Sequence, residues 1–364
     1  MTTLLTHEWL AAAGGSENVF EQMTLAFPEA RRFCLWNDDP TRFPGVEESW
    51  LARSPLRRSK PAALPFMRAA GRGADLGGAD LVLSSSHVFG HAIASRAARR
   101  GIRAFAYVHS PARYIWAPEY DPRGRSLPVR TVAPALRRVD RRSVDPRVSY
   151  AANSAFVAER MAEAWGVEAR VIHPPVAVAN IVQSMERPLS EQDAEAARQL
   201  PAEFVLGASR LVDYKRVDAA IDLGSSLGVP VVIAGDGPDR ERLQAVADSA
   251  GVRVQFLGRV SDRLLHELYR RALLFVFAAV EDFGIMPLEA VTAGAPVVVN
   301  REGGAWEGVS ATGAGASCDP DDPDELRAAA ETAIGLRSVA GSAATADFAD
   351  ELFRSRVVEW TSGE

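Results

Sequence analysis

At 364 residues the chain is longer than a single hydrophobic core usually serves, so two domains are expected. Apolar residues make up 47% and charged residues 24%, the balance of a soluble globular protein, and no run approaches the roughly 18 apolar residues of a membrane helix. Residues 1–177 carry 24 Lys and Arg against 17 Asp and Glu, a net +7, and the remainder carries 17 against 30, a net -13; the overall -6, without interleaved basic and aromatic motifs, excludes a nucleic-acid partner.

The N-terminal MTTLLTHEWLAAAGGSE has no basic start and holds His7 and Glu8 inside its apolar run, so it does not read as a signal peptide. Cys34 and Cys318 lack any paired spacing, which argues against a disulfide framework or a cysteine zinc site. A cytoplasmic protein is expected. In chain order, apolar runs predict strands at Thr3–Thr6, Arg32–Trp36, Asp80–Ser84, Arg103–His109, Val148–Asn153 and Ala169–His173. They recur at Phe204–Ala208, Val229–Ala234, Val252–Phe256, Leu273–Ala278 and Pro296–Asn300. Segments of helical period lie between, among them Ser154–Trp165, Asp239–Ala250 and Ser261–Arg271. Such alternation predicts an α/β fold with parallel sheets and helices on both faces, here twice. Pro174–Pro201, rich in Pro, Ser, Gln and Glu, reads as the connection. Thr345–Trp360 is amphipathic and follows a Gly/Ser/Ala-rich turn. The expected domains are therefore 1–177 and 178–344, with 345–364 crossing back to the first.

In doubly wound sheets, ligands bind beyond the carboxyl ends of strands. Four segments stand at such ends. Gly14-Gly15-Ser16-Glu17 opens a helix whose free amides suit an anion, although a glycine pair also makes a plain turn. His109 ends the strand that Pro111 stops. Ser209–Lys215 places Arg210 and Lys215 after a strand, where two cations suit a diphosphate; two surface cations is the bland alternative. Glu281-Asp282-Phe283-Gly284-Ile285-Met286-Pro287-Leu288-Glu289 puts two carboxylates around one helix start, able to accept from vicinal hydroxyls, with the amides of Phe283, Gly284 and Ile285 aimed outward. A helix-dipole cap alone explains one Glu and not the sequence around it. The acidic run Asp319–Asp324 reads as such a helix start.

In order, these segments resemble glycosyltransferase family 4, whose GT-B fold sets two Rossmann-like domains across a cleft. The resemblance rests on GGSE at 14–17, HSP at 109–111, SRLVDYKR at 209–216, AGDGP at 234–238, FLGRVSD at 256–262, EDFGIMPLEAVTAGAPVV at 281–298 and GGAWE at 303–307. The spacing of Glu281 and Glu289 is that family's E-x7-E. The resemblance implies a retaining transferase, a hexosyltransferase, that uses a nucleotide diphosphate sugar and neither metal nor cofactor. It implies that Arg210 and Lys215 hold the diphosphate, that Glu289 takes the ribose hydroxyls, and that Glu281 with the amides of Phe283, Gly284 and Ile285 holds the transferred sugar. It also places His109 by that sugar, Val260 at the base, Gly15 near the phosphates, and Gly14 and Glu17 on the acceptor side. HSPARYIWAPEYD is most like the mannosyltransferases of cell-surface polysaccharide assembly, which favours GDP-mannose over a UDP-linked donor and leaves a glycan, lipid-linked or small-molecule acceptor open. The alternatives are a nucleotide-sugar 2-epimerase of the same fold and a non-catalytic nucleotide-sugar-binding partner.

One further stretch is not absorbed by that resemblance. Arg53, Arg57, Arg58, Lys60, Arg68 and Arg72 are interleaved with Leu56, Leu64, Phe66 and Met67. Peripheral contact with anionic membrane at its inner face is one expectation, and a loop closing over the acceptor is the other. Pro55, Pro61 and Pro65 argue against a continuous helix there.

Overall fold

The computed structural model describes residues 1–12 and 14–363, with the side chains of Pro122, Arg123 and Pro128 outside the description. The chain forms two compact units, Met1–Pro175 with Glu351–Glu364, and Val176–Asp350.

The first unit is built on a parallel sheet of β1 (Thr3–Leu10), β2 (Arg31–Asn37), β3 (Glu47–Glu48), β4 (Leu81–Ser86), β5 (Arg103–Val108), β6 (Ser149–Ala152) and β7 (Arg170–Val171), in the order β3-β2-β1-β4-β5-β6-β7. Successive side chains alternate faces, as strand geometry requires. Leu4, Val82 and Ala104 enter one core with Met67, Ile93 and Met161, while Leu5, Leu83 and Phe105 enter the other with Phe20 and Met23. The helix Asp350–Ser362 covers that second face through Phe353, Val357 and Trp360, and Trp360 Nε1 donates to Ser149 Oγ at 2.9 Å.

The second unit repeats the plan with β8 (Val205–Ala208), β9 (Val231–Ala234), β10 (Val254–Gly258), β11 (Leu274–Phe277), β12 (Val297–Asn300) and β13 (Gly315–Cys318), ordered β10-β9-β8-β11-β12-β13. Its strands are near-continuous Val, Leu, Ile and Phe, because a sheet covered on both faces has no polar side to offer. In both sheets the order reverses between the first strand and the fourth, β1 and β4, and β8 and β11. Chains leaving either side of that point diverge and open a crevice for a ligand.

The α/β class is the one that the alternation predicts, and ten of the eleven expected strands differ from the observed ones by a few end residues. The exception is β1, expected to end at Thr6. It runs on to Leu10 and buries His7 and Glu8 entirely. Two strands carry no apolar run and escaped notice: the exposed pair Glu47–Glu48, and Gly-Ala-Ser-Cys of β13. Pro174–Pro201 is not mainly a connection; it holds the helices Val178–Glu186 and Glu191–Arg198, the second capped by Ser190 Oγ on the Asp193 amide at 3.1 Å. The basic stretch is not one continuous helix, since short turns at Trp50–Arg53 and Pro55–Arg58 come first, but Pro61 and Pro65 do not break its last part. A continuous helix runs Lys60–Gly71, with Pro61 in its first turn and Pro65 at an exposed position, where the lost N–H leaves a single carbonyl to solvent. Asp322 caps the helix Pro323–Gly335 with its side chain, as the acidic run predicts.

Candidate functional site

In the second unit the chain leaves β8 through Ser209–Val212 into a one-turn helix, Asp213–Lys215, and leaves β11 through Ala278–Phe283 into the helix Ile285–Thr292. These loops flank the reversal point, and they are joined there: Lys215 Nζ donates to Glu281 Oε1. The ammonium also lies 5.6 Å from the Phe277 ring centroid, so the pair is shielded on one side by an apolar wall and keeps 12% and 21% of its side-chain surface. Arg210 donates to the Tyr214 hydroxyl at 3.0 Å and, among the described residues, pairs with no carboxylate.

Glycines let the surrounding backbone close on these loops. A Cβ on Gly235 would lie 1.8 Å from the Ser209 carbonyl, and one on Gly237 2.2 Å from that of Leu211. The Asp236 carbonyl accepts from the Leu211 amide at 3.0 Å, so the AGDGP turn is the brace under Arg210. Gly303 and Gly304 do the same for the other loop. A Cβ on Gly304 would meet the Asp282 carbonyl at 2.1 Å, and its amide donates to the Glu281 carbonyl at 2.8 Å. Gly284 caps the helix at φ +80°, in the left-handed region that glycine tolerates.

Glu289 lies just beyond the first turn of that helix. It keeps a sliver of surface, yet burial among its neighbours pushes its carboxyl up to about 7, with the charge of Asp262 adding to the effect. Among the described residues no side chain donates to it, so it offers acceptors to something else. Val260 lines a hollow of about 330 Å³ with Arg259, Ser190 and Asp193.

In the first unit the reversal point is packed with imidazoles. His7 Nδ1 lies 2.9 Å from Ser85 Oγ, which in turn lies 2.8 Å from His109 Nε2, so one hydroxyl joins the two rings. Burial lowers the His7 imidazole to about 4, the charge of His87 adding to it. Burial likewise holds His109 well below its ordinary value, with His7 and His87 next. Both rings are neutral near pH 7 and can donate or accept through opposite nitrogens. Beside them Glu8 accepts from the amides of His87, Val88 and Gly90 at 3.1, 2.9 and 2.7 Å and from Ser86 Oγ at 3.2 Å. Burial opposes its charge, but His87, 3.1 Å away, and these donors outweigh it and hold the carboxyl well below the usual range.

Possible metal donors among the described residues are His7, Glu8 and His87, whose ligand atoms lie within 4.8 Å of one another. Glu8, however, already accepts four hydrogen bonds, while His7 gives Nδ1 to Ser85 and keeps Nε2 without a hydrogen-bond partner among the described residues.

The description "Glycosyltransferase Family 4" fits residues 13–180, and "Glycosyl transferases group 1" fits residues 190–340. The chain belongs to glycosyltransferase family 4. Among family relatives, it is 41% identical over 99 residues to an uncharacterized glycosyltransferase of Methanocaldococcus jannaschii, covering 26% of this chain and 25% of that one. It is 30% identical over 238 residues to a GDP-mannose-dependent alpha-(1-6)-phosphatidylinositol monomannoside mannosyltransferase of Mycobacterium tuberculosis, covering 59% and 60%. The chain thus spans a quarter to three fifths of the length of these relatives. The fold is that of HepE from Anabaena, solved in complex with UDP: TM-score 0.74 and 19% identity over the whole of both chains. The GT-B class of two Rossmann-like halves is therefore established.

Of the residues singled out in the sequence, the structure brings Lys215 and Glu281 into contact, sets Arg210 on the braced neighbouring loop, and places Phe283, Gly284 and Ile285 at the helix start that leads to Glu289. Gly14 precedes the helix Gly15–Ala26, and Glu17 does not point outward. Its side chain turns back beneath Gly14, accepting from the Ala11 amide at 3.2 Å and Ser16 Oγ at 2.7 Å. A Cβ on Gly14 would come within 2.2 Å of Glu17 Oε2, which accounts for glycine at 14. Sequence reasoning missed His7, Glu8, Ser85 and His87. The available signal was a polar pair inside an otherwise apolar strand, followed by a Ser-Ser-Ser-His run at the end of another.

No helix of the described residues is long and apolar enough to cross a membrane.

Proposed function

We propose that the chain transfers mannose from GDP-mannose to an acceptor hydroxyl with retention of configuration and without a metal. The observation that carries this reading is the Lys215–Glu281 contact at the reversal point of the second sheet, with Glu289 eight residues further along the same segment. A cation placed there stabilises the charge that grows on a departing diphosphate, the kind of term that dominates when no protein nucleophile takes part. Arg210 adds a second cation. Glu281, once Lys215 turns to phosphate, accepts from hydroxyls of the transferred sugar together with the amides of Phe283, Gly284 and Ile285, and Glu289 accepts from the ribose. His109, neutral and held by Ser85, is suited to an uncharged sugar hydroxyl. Val260 serves the base, Gly15 the phosphates, and Gly14 and Glu17 shape the acceptor side.

The relative named as GDP-mannose-dependent supports the donor, while UDP in the structurally similar protein makes the uridine donor the comparison to run. The acceptor is a glycan, a lipid-linked sugar or a small molecule, and the site of action is the cytoplasm. Incubation with a panel of nucleotide sugars, followed by mass spectrometry of donor hydrolysis, tests the reading. GDP-mannose should be consumed fastest. Consumption of UDP-glucose alone overturns the donor, release of an epimerised nucleotide sugar overturns the transferase, and an inert panel with intact nucleotide binding favours a non-catalytic partner.

A further inference from the structure

Between the helices Lys60–Gly71 and His91–Ala98 of the first unit lies a cavity of about 110 Å³. At a water's share of liquid volume, about 30 Å³, this is room for roughly four waters. Its walls are apolar where Leu35, Met67 and Ile93 meet, and four arginines line it: Arg68, Arg72, Arg96 and Arg99. The first two stand at i and i+4 on one helix, and Arg96 and Arg99 face them from the end of the other. Like charges at such spacing repel and gain from a shared counter-ion.

The carboxylates near them are engaged elsewhere. Asp145 is bridged by Arg99 at 3.1 Å and Arg147 at 2.9 Å. Asp75 accepts from the Gly77 amide and lies 3.4 Å from Arg31. Glu8, which also lines the cavity, has its four donors. Arg96 is held by the carbonyls of Arg72 and Ala74 at the end of the facing helix. Arg68 is different: its Nε donates to the buried Ser143 Oγ at 2.8 Å, which fixes the guanidinium. Among the described residues neither of its terminal nitrogens has a partner, and Arg72 has none at all. Burial lowers the Arg68 guanidinium from its ordinary value, with Arg72 and Arg99 adding to it, as expected of a cation held among cations. A solvated surface arginine has neither an anchored Nε nor a cavity in front of it.

We propose that this cavity is an oxyanion site and that its ligand is a phosphate group, taken by the free ends of Arg68 and Arg72 with Arg99 alongside. Two forked donors converging from one helix face match the oxygens of a phosphate, and the apolar walls reduce screening of the contact. The remaining volume accommodates a small substituent, so the phosphate belongs either to a soluble phosphorylated metabolite or to a lipid headgroup. The site does not depend on the transferase reading, whose nucleotide residues, Gly15, Arg210, Lys215, Val260 and Glu289, do not line this cavity.

Calorimetry of the full chain with inorganic phosphate at low ionic strength tests the site. One phosphate should bind per chain, and R68Q/R72Q should weaken it at least about tenfold, the effect of losing charge-assisted hydrogen bonds, with GDP binding unchanged. R72Q alone, at an exposed residue without a partner, should weaken it in the same direction if the double variant fails to fold. Absence of phosphate binding, or binding that the variants leave intact, overturns the site. Phosphate displaced by GDP puts it on Arg210 and Lys215 and also overturns it. Co-sedimentation with phosphatidylcholine vesicles, with and without phosphatidylglycerol, separates the sources. Pelleting that needs phosphatidylglycerol and is lost in R72Q assigns a lipid headgroup, and phosphate binding without such pelleting assigns a soluble ligand.

Discussion

Both sheets reverse direction between their first and fourth strands, yet the side chains gathered there differ in kind. In the first unit most of the groups hold one another, although among the described residues His7 Nε2 has no hydrogen-bond partner. His7 and His109 share a serine hydroxyl and stay neutral, and Glu8 is wrapped in amides. In the second unit the charges are incompletely paired. Among the described residues Lys215 has one carboxylate, Arg210 only a phenol, and Glu289 is crowded by protein without a donor. Buried polar groups that are fully satisfied stabilise a fold, whereas those left wanting partners are where a charged ligand gains most. The same topology therefore gathers buried groups that mostly bond one another in one half and less fully paired charges in the other, and the difference lies in the residues at the strand ends.

That contrast can be broken first at Glu8. Glu8→Ala strands three amides, a serine hydroxyl and His87, and should cost about 3–5 kcal/mol of stability, the usual penalty for breaking a buried charged network. Urea unfolding measures it. A loss below about 1 kcal/mol would mean that water replaces the carboxylate, and the first unit would then be no better satisfied than the second. Next comes Lys215→Ala, which should lower kcat roughly 30- to 1000-fold, about 2–4 kcal/mol of transition-state stabilisation, with little change in the urea midpoint. Near-normal turnover would remove Lys215 from the chemistry.

The parallel sheets, the doubling and the second unit's site were legible in the sequence, because apolar strands and the loops after them are contiguous. SRLVDYK and EDFGIMPLE each carry their own chemistry, and only their contact needed the structure. The first unit's site was less legible. His7, Ser85 and His109 come from three strands, and His7-Glu8 interrupts the apolar run that marks a strand, so β1 was expected to end at Thr6. Its burial is permitted by donors from residues 86–90, about 80 positions away, which no local pattern reveals. Glu17 is placed on the acceptor side only by resemblance, and its inward turn depends on the space left by Gly14. The helix through Pro61 and Pro65 shows the reverse failure, in which packing of Ala63, Met67 and Ala70 overrides a local breaker.

A smaller effect sharpens the comparison at Glu289. Its folded value of about 7 lies above the ordinary 4.5, so the folded state holds a proton that the unfolded chain has released between those values. Its contribution to stability is intact below about 4.5 and is lost as the pH rises through about 7. Over that window the wild type should lose about 1–3 kcal/mol relative to Glu289→Gln, which has no proton to release. Ribose hydroxyls donating to the carboxylate favour its charged form, so GDP affinity should rise across the same window in the wild type and stay flat in the variant. Equal slopes for the two proteins would take Glu289 out of the nucleotide site.

The smallest expected effect is that of chelation. A metal could find three donors in His7, Glu8 and His87, but binding would require Glu8 to surrender hydrogen bonds that hold its charge in place. In the second unit the charge that a diphosphate needs is already present on Arg210 and Lys215. GDP binding measured by calorimetry should therefore change less than about twofold, under about 0.4 kcal/mol, when EDTA is added. If chelation abolished binding, the nucleotide would depend on an ion after all, and the second unit's cations would not be its diphosphate receptor. If chelation instead lowered only the unfolding midpoint, the imidazole cluster would be metal-bound, and the contrast between the two units would rest on an ion in the first.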